Sequence, residues 1–158
     1  MRSVLEKAKA NGAVIIAVNP LPEAGLMRFK DPQKVHGVLG RGVPIADEFV
    51  QIRIGGDMAL FAGLGRLLLE ADDGAPGTVV DRTFIDAHCA GFDDYERQTR
   101  AVDLDTVVEA AGITRDQLER VARMLISSQR TVFCWAMGLN QQRHAVATIG
   151  EATTLLLM

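Results

Sequence analysis

The most continuous apolar run in the sequence is Ala13–Val18, which lies between Gly12 and the dipeptide Asn19-Pro20. Most of its side chains are β-branched. A short apolar run bounded by turn residues predicts a strand that is buried on both faces, as in parallel sheets covered by helices. Because ligands of such sheets bind at the carboxyl ends of the strands, Asn19-Pro20 is the first place to expect a site.

Two later segments also have the pattern of strands. Ile45 to about Ile54 alternates in part between apolar and polar residues, and Thr131–Trp135 is short and apolar. Each is followed by a loop that contains glycine and then by a helical pattern. This order of strand, loop and helix predicts an α/β fold with a parallel sheet.

Helical spacing of apolar residues predicts the remaining elements. The segment from Met58 to about Ala71 is apolar on most of its surface, so we expect it to be deeply packed. Thr114–Gln117 has the form of a capping box and marks the start of another helix. The other predicted helices are Ser3–Asn11, Arg82–Ala90, Phe92–Arg100, Leu104–Ala111, Arg115–Ser127 and Arg143–Met158.

A long connection rich in proline and glycine separates the first two predicted strands. Connections of this length inside compact domains are usually functional or mobile. We therefore expect an inserted or mobile loop at about residues 19–44. No repeat, low-complexity tract or clear linker divides the chain, so residues 1–158 are interpreted as one domain.

The composition, 48% hydrophobic and 23% charged over 158 residues, is typical of a globular domain. The net charge of −3 gives no reason to expect a nucleic-acid partner. No apolar run approaches the roughly 20 residues of a membrane span. With no signal peptide apparent, we expect a cytoplasmic protein. Both ends fall within helical patterns that lack the usual caps, which indicates a segment of a longer protein.

Several sequence motifs of catalytic and binding sites are absent. The glycines at residues 37–42 do not have the spacing of a dinucleotide-binding fingerprint, and no P-loop is present. No group of His, Cys, Asp and Glu has the spacing of metal ligands. We therefore predict neither catalytic nor metal-binding residues in this stretch.

Polar residues and glycines do occur where the first two predicted strands end. Asn19, followed by Pro20 and Leu21, could hydrogen-bond a ribose or a base edge, or could simply form a turn. Gly55-Gly56 would let a ligand approach the backbone. A carboxylate at Asp57 could accept hydrogen bonds from N1–H and the exocyclic amine of guanine. The alternative is that Asp57 is only the N-cap of the helix that follows.

The third predicted strand is followed by Met137, Gly138 and, three residues later, Gln141. Gly138 permits close approach, and the Gln141 amide can both donate and accept hydrogen bonds. A plain strand-to-helix loop explains the same residues equally well. Taken together, three such loops at the ends of strands of one sheet favour a ligand of nucleotide size.

Three segments resemble molybdopterin oxidoreductases of the formate dehydrogenase type. The first is Lys7–Pro20, a helix, a glycine, an apolar strand and Asn-Pro. The second comprises Ala46-Asp47 and, further on, Gly55–Leu60. The third, Trp135–Gln141, has the form W-x-M-G-x-x-Q and is the most specific. The resemblance extends over essentially the whole chain.

This resemblance implies a three-layer α/β/α domain with a mainly parallel, Rossmann-like sheet that binds molybdopterin guanine dinucleotide. The full-length protein would hold two such dinucleotides and molybdenum. Asn19, Pro20 and Leu21 would line the nucleotide, although many relatives have Arg where Leu21 stands. Gly55, Gly56 and Asp57 would bind the guanosine end. The remaining residues, beside the pyrophosphate and pterin, would be Met137, Gly138 and Gln141.

The family's metal ligand and acid–base residues lie outside this stretch, so we expect this segment to be inactive alone. Its partner would be the remainder of the parent oxidoreductase chain, and exposed apolar surface would favour self-association. Two alternatives are a free-standing nucleotide-binding or regulatory domain without catalytic activity, and a structural domain that mediates subunit contacts.

Overall fold

The computed structural model describes residues 2–23, 25 and 44–158. The fold is mixed α/β and mostly helical, and the chain divides into two compact units, Met1–Ile52 and Arg53–Met158. Most of the inserted or mobile loop expected at about residues 19–44 lies outside the described residues.

The first unit contains one helix and a pair of parallel strands. Helix α1 is Arg2–Ala10, strand β1 is Ile16–Val18 and strand β2 is Glu48–Val50. The register pairs Ala17 with Phe49. The parallel pairing agrees with the prediction, but each strand is shorter than its apolar segment. The three-layer sheet implied by the resemblance is not seen in the described residues, whose sheet has two strands.

Strand β1 is less buried than predicted. Of the strand residues only Ala17 is buried, whereas Val18 is 38% exposed and Val14, just before the strand, is 63% exposed. The prediction of burial on both faces was therefore wrong for this strand. A strand is buried on both faces only when packed layers cover a wide sheet, and a two-stranded sheet has little area to bury.

A lysine and an aspartate connect α1 to the segment that leads into β2. Lys9 Nζ lies 2.8 Å from Asp47 Oδ1 and also donates to the Ile45 carbonyl at 3.0 Å. Asp47 Oδ2 accepts the Ile15 backbone N–H at 2.9 Å. The hydrogen bond from Lys9 lowers the pKa of Asp47. These bonds fix the start of both strands relative to the helix.

All regular secondary structure in the second unit is helical. Its elements are α2 (Asp57–Gly74), α3 (Arg82–His88), α4 (Phe92–Arg100), α5 (Leu104–Ala111), α6 (Arg115–Ile126), α7 (Met137–Asn140) and α8 (Ala145–Leu157). The bounds of α4 and α5 are those predicted from the sequence. Asp103 and Thr114 accept backbone N–H groups in the first turns of α5 and α6. Such capping side chains are local signals, so the starts of these helices can be predicted from the sequence.

Helix α2 is the centre of the second unit, and it is deeply packed, as its apolar sequence predicts. Leu60, Leu64 and Leu69 are almost completely buried, and α2 packs against α4, α5, α6 and α8. Gly63 lets α5 approach closely, since a β-carbon there would lie 2.6 Å from Val107 Cγ1. The helix that follows Gly56 therefore has its position fixed on several sides.

The third predicted strand is not formed. Residues 131–136 have no regular secondary structure, and the short helix α7 follows where a simple loop was expected. A strand needs a neighbour to complete its hydrogen bonds, and the described residues of the second unit contain no other strand. The segment is instead attached to α2, because the rings of Phe133 and Phe61 stack with centroids 5.9 Å apart.

No helix among the described residues is both long and apolar enough to cross a lipid bilayer.

Candidate functional site

The loop before α2 is held by the C-terminal end of α5. The Arg53 backbone N–H donates to the Ala111 carbonyl at 2.8 Å, and Arg53 Nη1 donates to the Glu109 carbonyl at 2.8 Å. The last carbonyls of a helix lack partners within the helix and carry partial negative charge, which a guanidinium satisfies well. Arg53 therefore fixes the loop that contains the predicted guanosine residues.

Gly56 has a structural role that the sequence did not indicate. It is buried, and a β-carbon there would lie 2.9 Å from Ala111 Cα and 3.1 Å from the Arg53 carbonyl oxygen. Its N–H already donates to that carbonyl. Gly56 is thus required for close packing of the loop on α5.

At Gly55, unlike at Gly56, the backbone of the loop is exposed to solvent. It is exposed, its φ is +84°, and a β-carbon there would have no atom within 4 Å. The positive φ itself favours glycine. Gly55 therefore leaves room for a ligand to approach the backbone of this loop closely.

Asp57 is the first residue of α2, and the N-cap is Gly56, which offers no side-chain acceptor. The prediction that Asp57 is the N-cap was wrong by one position, because the helix begins one residue earlier than expected. The half-buried Asp57 carboxylate instead accepts a hydrogen bond from Gln142 Nε2 at 2.8 Å. The carboxylate therefore remains an acceptor facing the segment that follows α7.

The hydrogen bond between Asp57 and Gln142 brings together the second and third predicted loops. The stacking of Phe133 on Phe61, one helical turn further along α2, holds the same two segments together. Sequence reasoning selected Gln141 and missed Gln142. The contact joins residues 85 positions apart, so no local pattern could indicate it. The position of Gln142 directly after Gln141 was the one feature of the sequence that pointed to it.

The third loop itself is open to solvent. Met137 begins α7 and is 66% exposed, and Gly138 is exposed, so that a β-carbon added there would have no atom within 4 Å. Gln141 is exposed, and its backbone N–H donates to the Met137 carbonyl at 3.0 Å. These three residues are thus exposed to solvent on the same segment that contacts Asp57.

The first loop belongs to the first unit. Asn19 Nδ2 donates to the Leu21 carbonyl at 2.8 Å, and the Asn19 backbone N–H donates to the Val50 carbonyl. Gln51 Nε2 donates to the Pro20 carbonyl at 3.1 Å, and the Leu21 side chain is exposed. The Asn19 side chain therefore closes a turn, the simpler of its two interpretations. A role of Asn19, Pro20 and Leu21 beside a nucleotide stays a prediction.

Two cavities of the second unit lie away from these loops. One, of about 370 Å³, lies beside Ile85, Cys89 and Phe92, and the other, of about 240 Å³, lies between the ends of α6 and α8. Neither is lined by residues 53–57 or 137–142. Among the described residues, no group of three or more His, Cys, Asp or Glu could hold a metal ion. The candidate site is therefore an open surface that offers hydrogen-bonding groups.

Several known proteins that are similar to this chain are longer oxidoreductases. Over all 158 residues the chain is 74% identical to an uncharacterized oxidoreductase of Mycobacterium tuberculosis H37Rv, of which it covers 20%. It is 24% identical over 151 residues, 96% of the chain, to formate dehydrogenase H of Escherichia coli K12, of which it covers 18%. No protein-family model matches. The chain thus spans about a fifth of the length of the curated relatives it matches.

A solved structure shares the fold. Acetylene hydratase from Pelobacter acetylenicus matches 99% of this chain with a TM-score of 0.75 and 22% identity, and the match covers 18% of that protein. The similarity to longer, named oxidoreductases agrees with the resemblance found in the sequence. The resemblance to molybdopterin oxidoreductases of the formate dehydrogenase type is confirmed, and this chain corresponds to one segment of such longer proteins.

Proposed function

We propose that this chain is the segment of a molybdopterin-dependent, formate dehydrogenase-like oxidoreductase that binds the guanine dinucleotide part of the cofactor. The observation that carries the proposal is the meeting of Asp57 and Gln142. It brings two predicted binding loops together at the start of a firmly packed helix. The similarity to longer oxidoreductases supports the assignment to an enzyme of this kind.

Asp57 has the chemistry that guanine requires. Guanine presents two adjacent donors, N1–H and the 2-amino group, and a carboxylate has acceptor positions on both oxygens. Hydrogen bonds to a charged group are stronger than those between neutral groups. Adenine offers an acceptor at N1, which a carboxylate does not satisfy. A base held by Asp57 would therefore be guanine in preference to adenine.

The other residues fit an extended dinucleotide. Gly55 has open space beside its backbone, and the exposed residues Met137, Gly138 and Gln141 lie on the segment that Asp57 contacts. In the proposal Gly55 lies at the guanosine end, and the three residues of the later segment lie beside the pyrophosphate and pterin. Asn19, Pro20 and Leu21 line the nucleotide. The cofactor itself supplies the redox chemistry when bound, and these residues bind and orient it.

The rest of the parent chain would complete the domain and the active site. In the proposal the parallel pair of β1 and β2 belongs to a wider, Rossmann-like sheet of three layers, and the parent enzyme is cytoplasmic. The partners of this segment are then the other parts of the same oxidoreductase. Alone, it would bind nucleotide without catalysing a reaction.

A calorimetric titration of the 158-residue chain with GDP and ADP tests the proposal, because GDP carries the guanine and diphosphate of the dinucleotide. We expect the chain to prefer GDP. Asp57→Asn should weaken GDP binding by roughly tenfold or more, the usual effect of losing a charged hydrogen-bond acceptor. Asp86→Asn, which removes the same charge from an exposed position on α3, is the matched control.

Equal affinity for GDP and ADP, or an Asp57→Asn variant that binds GDP as tightly as the unmodified chain, would contradict the role of Asp57. Absence of GDP binding would instead favour a structural domain in which these loops are only turns. Circular dichroism of each variant verifies that a loss of binding does not come from unfolding.

A further inference from the structure

Among the described residues, Gln142 is the side chain that donates to the Asp57 carboxylate. Its Nε2 lies 2.8 Å from Asp57 Oδ2, and both side chains are half-buried. Glutamine has a neutral amide, so this bond adds no second charge to the site. The pair is thus a hydrogen bond that orients a carboxylate without forming an ion pair.

We propose that Gln142 is a positioning residue that holds the Asp57 carboxylate for the guanine edge and so sets the base preference of the site. This inference rests on the proposed function. An ionised carboxylate has about four lone-pair positions on its two oxygens. Gln142 occupies one of them, which leaves acceptors on both oxygens for N1–H and the 2-amino group.

Without Gln142, the carboxylate has a competing partner nearby. The first backbone N–H groups of a helix lack partners within the helix, and the N-cap of α2 is a glycine with no side-chain acceptor. A short acidic side chain in the first turn is attracted to these N–H groups. Gln142 opposes this attraction because it holds one oxygen in place from the opposite segment.

The segment that carries Gln142 is itself anchored. Phe133 stacks on Phe61 of α2, and α8, which begins soon after Gln142, packs against α2 and buries Thr148 near its start. The donor is therefore held between two fixed points on either side of α7. A donor on an anchored segment restricts the carboxylate more than one on a freely moving loop.

The test compares Gln142→Met with the unmodified 158-residue chain by titration with GDP and with IDP, whose hypoxanthine lacks the 2-amino group. Methionine keeps the length of the side chain and removes the donor. We expect GDP affinity to fall roughly tenfold and the preference for GDP over IDP to decline toward one. Gln98→Met, an exposed position on α4, should bind both nucleotides as the unmodified chain does.

The side-chain amide signals of Gln142 in ¹⁵N-labelled protein give a second readout. If Gln142 positions the carboxylate, these signals keep their hydrogen-bonded shifts when GDP is added, and they change in Asp57→Asn. If the base displaces Gln142, the hydrogen-bonded shifts are lost on GDP addition, and the proposal is overturned.

The outcomes separate this inference from the proposed function. If GDP binds and depends on Asp57, while Gln142→Met behaves as the unmodified chain or binds more tightly, only the inference fails. If the unmodified chain does not bind GDP, the proposed function fails and the role of Gln142 fails with it.

Discussion

The hydroxyl of Tyr95 on α4 lies 2.6 Å from the position that a β-carbon on Gly65 of α2 would occupy. Gly65 therefore leaves the space in which the tyrosine ring enters the core. The hydroxyl is buried, and this burial, which outweighs the opposing effect of the nearby Thr99 hydroxyl, raises the pKa of Tyr95 to about 12. The contact between Tyr95 and the backbone of α2 at Gly65 is therefore tight.

Gly65→Ala is expected to destabilise the chain by about 1–3 kcal/mol, the usual cost of overpacking a core. In a Tyr95→Phe background the same change should cost less, because the atom nearest the new methyl group is gone. Urea unfolding of the two single variants and the double variant measures this coupling. Gly150→Ala, where a β-carbon meets open space in α8, should stabilise slightly. Equal costs of Gly65→Ala in both backgrounds would show that the hydroxyl is not the limiting contact.

The ion pairs around Glu96 predict a loss of stability in acid. Arg82 holds both Glu96 oxygens at 2.8 and 2.9 Å, and Arg100 adds a further contact at 2.8 Å. The hydrogen bonds from Arg82, the largest cause, help to lower the pKa of Glu96 to about 2. Since its folded pKa is below the ordinary value of 4.5, Glu96 stabilises the fold above that pH.

This contribution should be lost as the pH falls from about 4.5 to about 2. We expect it to be about 1–2 kcal/mol, because the groups are partly exposed and screened by solvent. Urea unfolding across this pH range measures it, and Glu96→Gln should remove this part of the pH dependence. The matched control is Glu109→Gln, whose exposed side chain forms no ion pair among the described residues. A pH profile of Glu96→Gln identical to that of the unmodified chain would refute the assignment.

Two adjacent aspartates at the end of α2 should differ sharply in their effect on stability. The buried Asp72 uses one oxygen, Oδ1, to accept the backbone N–H groups of Gly77, Val79 and Val80 at 3.0–3.1 Å. Burial by itself raises the pKa of Asp72, but these hydrogen bonds outweigh it, and the pKa is lowered overall. Asp73 is exposed and forms an ion pair with Arg100.

Asp72→Ala should destabilise by about 2–4 kcal/mol, because three backbone N–H groups, of which that of Val80 is buried, lose their acceptor. Asp73→Ala should cost less than about 1 kcal/mol, as is usual for an exposed ion pair. Thermal unfolding of both variants at neutral pH makes the comparison. Similar midpoints for the two would mean that water replaces the Asp72 acceptor at little cost.

A substitution at Gly138 distinguishes an effect on ligand binding from an effect on folding. A β-carbon there meets no atom within 4 Å, so Gly138→Leu should change the free energy of unfolding by less than about 1 kcal/mol. In the proposed site the new side chain would obstruct the diphosphate and weaken GDP binding. Gly150→Leu places the same side chain in open space on α8 and is the control. Unchanged GDP affinity in Gly138→Leu would remove this loop from the proposed site.

The helices could be predicted because their signals are local. Asp103 and Thr114 cap the helices that follow them, and the spacing of apolar residues gave α4 and α5 their observed bounds. Thr131–Trp135 has the local pattern of a strand, but a strand forms only when a neighbour supplies its hydrogen bonds. A pattern confined to one segment does not contain that information.

The residues of the proposed site could be selected from the sequence, but the contact between Asp57 and Gln142 could not. The glycines and Asp57 stand out in the sequence, yet the need for Gly56 comes from Ala111, far along the chain. Gln142 is equally distant from Asp57 and has no local pattern of its own. Its contact with Asp57 forms only because folding brings the segment after α7 against the start of α2.

In the proposed site, the attachment of Arg53 to the carbonyls of Glu109 and Ala111 makes the end of α5 part of the binding equilibrium. Local opening of α5 would release the loop before α2 and with it the orientation of Asp57. By linkage, a ligand that binds only the closed loop also stabilises α5, although it never contacts that helix. Substitutions that loosen α5 should then lower ligand affinity from a distance, through the population of the closed state alone.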